Sequence, residues 1–422
     1  MDFRTNLERS IALIGFTSVL LAASGIMPAS GGEKVLFAFG GSDGALPAGA
    51  LIAGKHGSMY GATESGGSST RCSEGCGTIF EIAGDGREKV LYYFQGKSDG
   101  EGPSGSLFLD GSGNLYGTAA GGAGTNCSGI GCGVVFKLAP DKTESVLYTF
   151  QGGSDGLRPN GSLVADTSGD LYGLTIVGGN FNGSECEQAG CGTIFEVQPN
   201  GTKIPLYTFE GGGDGAYPSG GLVADGSGNF YGTTENGGGA ACGGDGCGTV
   251  FKLTPNGTES VETVLYSFQG GTDGEVPMDG LIMDSAGNLY GTTARGGSIG
   301  AGTVFKVTPQ GTETVLYSFK EGKDGGHPEA GLVMDGKGNL YGTTYYGGSH
   351  GCKKTGDGCG TVFKLTPDGQ ESKLYTFRDF HQADDRGVFP QASLLMGKKG
   401  LLYGTTTAGG VGNDGVVFSV KK

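Results

Sequence analysis

A stretch resembling Leu-Tyr-Gly-Thr-Thr recurs seven times along the 422 residues. Each copy is followed by one like Gly-Thr-Val-Phe-Lys-Leu and, in all but the last, by one like Val-Leu-Tyr-Ser-Phe. The tyrosines of the first element are Tyr60, Tyr116, Tyr172, Tyr231, Tyr290, Tyr341 and Tyr403, at spacings of 56, 56, 59, 59, 51 and 62 residues. A unit of that length copied in tandem implies a propeller or an array of small sheets. A position fixed in every copy serves what the copies share, so a functional site is sought where they differ.

One unit reads as four strands. Gly331 to Asp335 is a short apolar run closed by the Gly336-Lys337-Gly338-Asn339 turn, and Leu340 to Thr344 is the returning strand. A glycine-rich loop leads to Gly360 to Leu365, where Thr361, Phe363 and Leu365 alternate with Val362 and Lys364 as a strand requires. Pro367-Asp368-Gly369 turns the chain into Lys373 to Phe377. The chain starts with a lone fourth-strand element, Val35 to Phe39, and stops after a lone third-strand element, Gly415 to Val420. The expectation is therefore an all-β fold: a seven-bladed β-propeller with four antiparallel strands per blade, its N-terminal strand closing the last blade and removing an exposed edge. Residues 31–422 form one such domain. A β-solenoid is the competing architecture, but its coils are much shorter than 56 residues.

Residues 1–30 read differently. Arg4 and Arg9 precede an apolar run from Ile11 to Ala23, with small residues at Ala22, Ser24, Ala29 and Ser30. This is the pattern of a signal peptide cleaved near residue 24 or 30, and the run is short for a membrane anchor. No 18-residue apolar run follows, so no transmembrane span is expected in the mature chain. The ten cysteines fall in five pairs, Cys72/Cys76, Cys127/Cys132, Cys186/Cys191, Cys242/Cys247 and Cys352/Cys359, all in the slot before the third strand. Two copies lack both members. Five local disulfides follow, and with them a secreted, periplasmic or cell-surface location. The 92 glycines mark turns, and a net charge of −15 argues against nucleic acid as a partner.

The loop joining units has the frame Gly-x-Asp-Gly-x-x-Pro, which places Asp43, Asp99, Asp155, Asp214, Asp273 and Asp324 in equivalent positions, with Asp385 as an approximate seventh. A ring of carboxylates suggests Ca²⁺ binding; the simpler role of Asp before Gly is turn formation. Asp110, Asp166, Asp225, Asp284 and Asp335 read as hairpin residues. The two residues before the proline vary completely, and among them Glu101, Arg158, Tyr217, Glu275 and His327 form a mixed polar set that could line a channel mouth. The third-strand loops add Tyr345, Tyr346, His350, Lys353 and Lys354, and the longest connecting loop adds Arg378, His381, Asp384 and Arg386. The four histidines occupy non-equivalent slots, and no HExxH, GxSxG or phosphate-loop pattern appears.

The motifs GNLYGTT, GTVFKLTP, VLYSF and GGxDGxxP, in fixed order over roughly residues 33 to 422, resemble those of the GloVer tandem-repeat family of exported bacterial proteins. More distantly, the hairpin pattern is similar to NHL-type propellers, among which streptogramin lyase shows that such a ring can host an enzyme. The resemblance implies a secreted or surface-displayed β-propeller-like protein and supplies no catalytic residues. The expected function is a binding or scaffold module for a protein or glycan ligand. The alternative is an extracellular lyase or glycan hydrolase using His327, Arg158 and Glu275 at the channel mouth.

Overall fold

A computed structural model describes residues 32–422 apart from 125–126, 128–130, 182–185, 187–188, 257–259, 349–351, 353–357 and 379–385. The expected signal peptide, His350, Lys353, Lys354, His381, Asp384 and Asp385 lie outside the described residues.

The described chain is all-β, and its helical elements are three-residue 3-10 turns. Each of the first six repeats forms four antiparallel strands paired in sequence order. In the sixth, Val333–Met334, Leu340–Thr344, Thr361–Leu365 and Glu371–Thr376 run from the innermost strand to the outermost. The first hairpin is set by local chemistry. Asp335 Oδ1 accepts the N–H of Lys337 at 2.9 Å and of Asn339 at 3.0 Å, and the Tyr341 hydroxyl donates to Oδ2 at 3.0 Å. The same Asp–Tyr bond recurs at Asp110/Tyr116, Asp166/Tyr172, Asp225/Tyr231 and Asp284/Tyr290. The recurring tyrosine therefore belongs to the turn. The glycine after it serves packing: a Cβ on Gly173 would stand 2.6 Å from Phe195 Cζ.

Neighbouring sheets meet through one aromatic pair per seam. The phenylalanine closing each outermost strand sets its ring edge-on against the third-strand phenylalanine of the next sheet. The pairs are Phe94–Phe136, Phe150–Phe195, Phe209–Phe251, Phe268–Phe305, Phe319–Phe363 and Phe377–Phe418, with centroids 5.0–5.3 Å apart. All twelve rings are buried, each side chain contributing about 1.5–3 kcal/mol by leaving water. The last sheet is completed from the other end of the chain, as Glu33–Ala38 pairs antiparallel with Val416–Lys421. Phe39 then packs on Phe80 of the first sheet at 5.1 Å, and its N–H donates to the Gly415 carbonyl at 3.0 Å.

The third and fourth sheets have longer inner strands, Leu157–Ala165 and Ala216–Ala224, which touch in parallel at Ser162 and Gly221 and join the two into eight strands. All five expected cysteine pairs are disulfide-bonded: Cys72–Cys76, Cys127–Cys132, Cys186–Cys191, Cys242–Cys247 and Cys352–Cys359. The second member of each pair, Cys76, Cys132, Cys191, Cys247 or Cys359, is fully buried, and Ala301 fills that place in a unit without a pair. Among the described residues no helix is long and apolar enough to cross a membrane.

Candidate functional site: an acid-lined axial cavity

The connecting frame is spent on joining units. The residue before each proline has a left-handed backbone: Leu46, Gly102, Arg158, Tyr217, Val276, His327 and Phe389 have φ between 53° and 66°. This geometry, costly for all but Gly102, turns its N–H toward the loop of the preceding unit. Arg158 donates to the Cys132 carbonyl at 3.0 Å, Tyr217 to Cys191 at 2.9 Å and His327 to Ala301 at 2.8 Å. The proline then sits on the glycine opening the preceding third strand: a Cβ on Gly133 would meet Pro159 Cδ at 2.4 Å, and one on Gly415 would meet Pro47 Cδ at 2.6 Å.

The five side chains expected at a common mouth are not brought together around the axial cavity. Arg158 is exposed. His327 Nε2 lies 3.8 Å from the Glu321 carboxylate, its ring edge-on to Tyr346. Glu275 Oε2 is 2.9 Å from the disulfide sulfur of Cys242. Glu101 lines a surface cleft with Arg71 and Lys97, and Tyr217 packs against the core shared by the third and fourth sheets. The cysteines stand apart from the axis as well. Cys76 belongs to the apolar core of Ile79 and Phe94, and Cys352 and Cys359 to that of Val362 and Phe377, so these bridges staple loops to the sheets and offer no ligand atoms to a site.

What lines the axis is the three residues after the proline. Segments of all seven units surround a cavity of about 180 Å³. That is small beside the roughly 300–1,000 Å³ of sites for drug-sized ligands. Glycine makes it narrow: Gly161 and Gly220 have φ of +76° and +77°, and a Cβ on Gly220 would strike the Gly280 nitrogen at 2.0 Å. Where other units carry small residues, the fifth carries Asp279. This half-buried carboxylate accepts the N–H of Gly280 at 2.6 Å, the N–H of Gly331 and the hydroxyl of Ser393 at 2.9 Å, tying three units together. Burial pushes its carboxyl up against the pull of these bonds.

Three further carboxyls face the same cavity: Glu64, Glu235 and Glu329. Burial raises all three above the usual range, opposed by the Ser219 hydroxyl at Glu235 and by Gln391 and Arg295 at Glu329. Gln391 Nε2 donates to Glu329 Oε2 at 3.1 Å, and Ser104 Oγ to Asn160 Oδ1 at 2.9 Å. The set offers carboxylates, amides and hydroxyls at close range, suited to ammonium or hydroxyl groups. No described histidine lines it. Sequence reading passed over Asp279 and Glu329 because the post-proline triplets are mostly Gly and Ser, and Glu64 and Glu235 because they lie at the ends of second strands rather than in the connecting frame. The available signal was the exceptions, Asn160, Asp279, Glu329 and Gln391.

The frame aspartates lie away from the axis, in the seams between outermost strands. Asp99 Oδ2 accepts the Tyr92 hydroxyl at 2.9 Å and the Gln95 N–H at 2.7 Å. Asp155, Asp214, Asp273 and Asp324 repeat this with Tyr148, Tyr207, Tyr266 and Tyr317. Asp43, whose unit has Phe37 in place of the tyrosine, accepts the Gly40 N–H at 2.8 Å.

Four-stranded sheets in tandem around a polar axis define a propeller-like all-β repeat protein. Residues 50–284 and 240–422 match the Gloeobacter/Verrucomicrobia repeat, and the chain belongs to that family. Among solved structures it is similar to virginiamycin B lyase from Staphylococcus aureus. The TM-score is 0.57 at 15% identity, over 92% of this chain and 100% of that one. A catalytically inactive histidine variant of that lyase with quinupristin matches at a TM-score of 0.56 and 13% identity, over 92% and 99% of the two chains. Puromycin hydrolase matches at a TM-score of 0.52 and 12% identity, over 86% of this chain and 50% of that one. At such identities the likeness is one of fold. No curated protein matches the sequence.

Proposed function

We propose that the chain is a closed seven-bladed β-propeller acting outside the cytoplasm as a binding or scaffold module, with the axial cavity taking a small polar, positively charged group of its ligand. Closure is supported by the Glu33–Ala38 strand in the last sheet and by the seventh aromatic pair, Phe39 on Phe80. Export is supported by the five disulfides and by the charge and apolar pattern of residues 1–30. The observation that carries the binding reading is the convergence of Glu64, Glu235, Asp279 and Glu329 on one cavity, in a chain of net charge −15 that attracts cations at long range.

The test compares glucosamine oligomers with their N-acetylated counterparts by calorimetry. The cationic sugar is expected to bind and the neutral one not, with Glu235→Gln plus Glu329→Gln weakening binding about tenfold, the loss of roughly 1.4 kcal/mol. Equal binding of both sugars, or variants without effect, would overturn the ligand assignment.

A lyase or glycan hydrolase is the alternative. One observation favours it: a carboxyl raised by burial is suited to general-acid work. The acid would then be Glu64, Glu235 or Glu329 rather than the dispersed His327, Arg158 and Glu275. Appearance of cleaved product from a bound glycan, lost in Glu235→Gln or Glu329→Gln, distinguishes it.

A further inference from the structure

One seam contains a buried ammonium. Lys203, first residue of the outermost strand Lys203–Thr208, has a side chain only 6% exposed. Its Nζ donates to the Asp155 backbone carbonyl at 2.6 Å and to Asp155 Oδ1 at 2.8 Å. The charge neutralises a frame aspartate of the preceding unit.

Every other unit puts glutamate where Lys203 stands. Glu88, Glu144, Glu262, Glu313 and Glu371 all open the outermost strand of their sheets or lie next to its opening, four residues before the tyrosine. They face Asp43, Asp99, Asp214, Asp273 and Asp324 respectively. A carboxylate thus meets a carboxylate where the third seam has an ion pair. The acceptor that Lys203 satisfies on Asp155 is left without a hydrogen-bond partner elsewhere: Asp99 Oδ1, Asp214 Oδ1 and Asp273 Oδ1 are buried and unpaired. So are Oε1 of Glu88, Glu144, Glu262, Glu313 and Glu371, and both carboxylate oxygens of Glu33. Asp99 is itself only 8% exposed, and its charge bears on Glu144.

Two seams show what else can fill this place. Glu371 has Lys373 and Lys320 beside it, and Glu33, the equivalent residue of the closing strand, has Arg386. Three seams thus have a side-chain cation near the acid, whereas among the described residues the charge that bears on Glu88, Glu144, Glu262 and Glu313 is that of the facing aspartate.

We propose that these four seams bind divalent cations of the calcium class, held between Asp43 and Glu88, Asp99 and Glu144, Asp214 and Glu262, and Asp273 and Glu313, with Lys203 standing in for the ion at the third seam. The donors are all oxygen: two carboxylates and, by analogy with the bond from Lys203, the peptide carbonyl of the aspartate. Such a set suits a hard cation that completes its shell with water. With so few protein ligands, affinity falls in the range of about 10⁻⁴–10⁻³ M typical of extracellular modules. Burial, then the facing aspartate, pushes Glu88, Glu144, Glu262 and Glu313 up to about 7; burial raises Glu371 and Glu33 as far despite their neighbouring cations, so it is the charges around the acids and not the shift that set the four seams apart.

The test needs no knowledge of the axial ligand, so its failure is separable from that of the binding reading. After dialysis against EDTA, Ca²⁺ uptake is counted by equilibrium dialysis at physiological ionic strength and pH 7.5. Tb³⁺ luminescence excited through tyrosine reports proximity, since the chain has no tryptophan and Tyr92 is bonded to Asp99. The expected result is about four ions per chain, the four seams without a side-chain cation. Lys203→Glu should add one ion. Glu144→Lys, which copies the third seam into the second, should remove one and raise the melting temperature in EDTA. No uptake by the parent chain, or a count unchanged in both variants, would overturn the proposal and leave protons as what the acid pairs hold. Either substitution alone suffices should the other fail to fold, because each predicts a change of one ion in a known direction.

Discussion

The second and third sheets begin their outermost strands at equivalent places, yet one opens on Glu144 and the other on Lys203. The surroundings repeat closely: a frame aspartate bonded to a tyrosine hydroxyl and a backbone N–H, above an edge-on phenylalanine pair. In one seam the aspartate is paired, and in the other an acid faces it. The comparison separates two functions of a repeat. Aromatic burial and main-chain bonds hold the sheets together everywhere, whereas the charge at one outer position decides whether a seam is complete in itself.

The largest departure from this equivalence comes from the closing seam, whose strand arrives from the far end of the chain. Deleting residues 33–39 should cost at least about 4 kcal/mol, because the loss of Phe39 alone is a large-to-small change in a closed core. A melting temperature that does not move would break the claim that the chain's two ends share a sheet.

Lys203→Met is expected to destabilise by roughly 3 kcal/mol, since it strands Asp155 beside a mostly buried site. Glu144→Gln at the matching place should be neutral or stabilising in EDTA, as it removes a facing acid. Equal losses at both positions, measured by chemical unfolding, would erase the distinction between the seams.

The closing seam has a pH dependence of its own. Burial raises the Glu33 carboxyl from 4.5 to about 7, against the pull of Tyr375 and Arg386. An acid raised in the folded state gives a contribution complete below 4.5 and lost as pH rises through about 7. Between pH 5 and 8 the parent should therefore lose on the order of 2 kcal/mol more than Glu33→Gln does. Parallel stability curves for the two proteins would count against it.

The smallest effect is the control. Tyr231→Phe and Tyr290→Phe each remove one hydroxyl bond to a hairpin aspartate and should each cost about 1 kcal/mol. Unequal costs would mean that the units are less equivalent than their turns suggest.

Much of the fold was legible because repeats magnify weak signals. The strand pattern, the cysteine pairing and the lone end strands could each be read from spacing, and the sheets, disulfides and Glu33–Ala38 pairing follow them. The site was less legible. Arg158, Tyr217 and His327 vary, which drew attention, but their backbone N–H groups stitch units together. Asp279 and Glu329 sit three and two residues beyond that frame position in their own units, where glycine-rich sequence hides them. The pairing of Glu144 with Asp99 was out of reach, because the partners are 45 positions apart in sequence and meet only when one sheet lies against the next.

The sequence by itself determined the unit, its strands and turns, and the staples in its loops, because alternation, Asp-Tyr hairpins and close cysteine pairs act over a few residues. The tertiary structure alone decided which side chains share a cavity and which charges share a seam. Those contacts join residues from different units, and their electrostatic consequence depends on how far burial removes them from water.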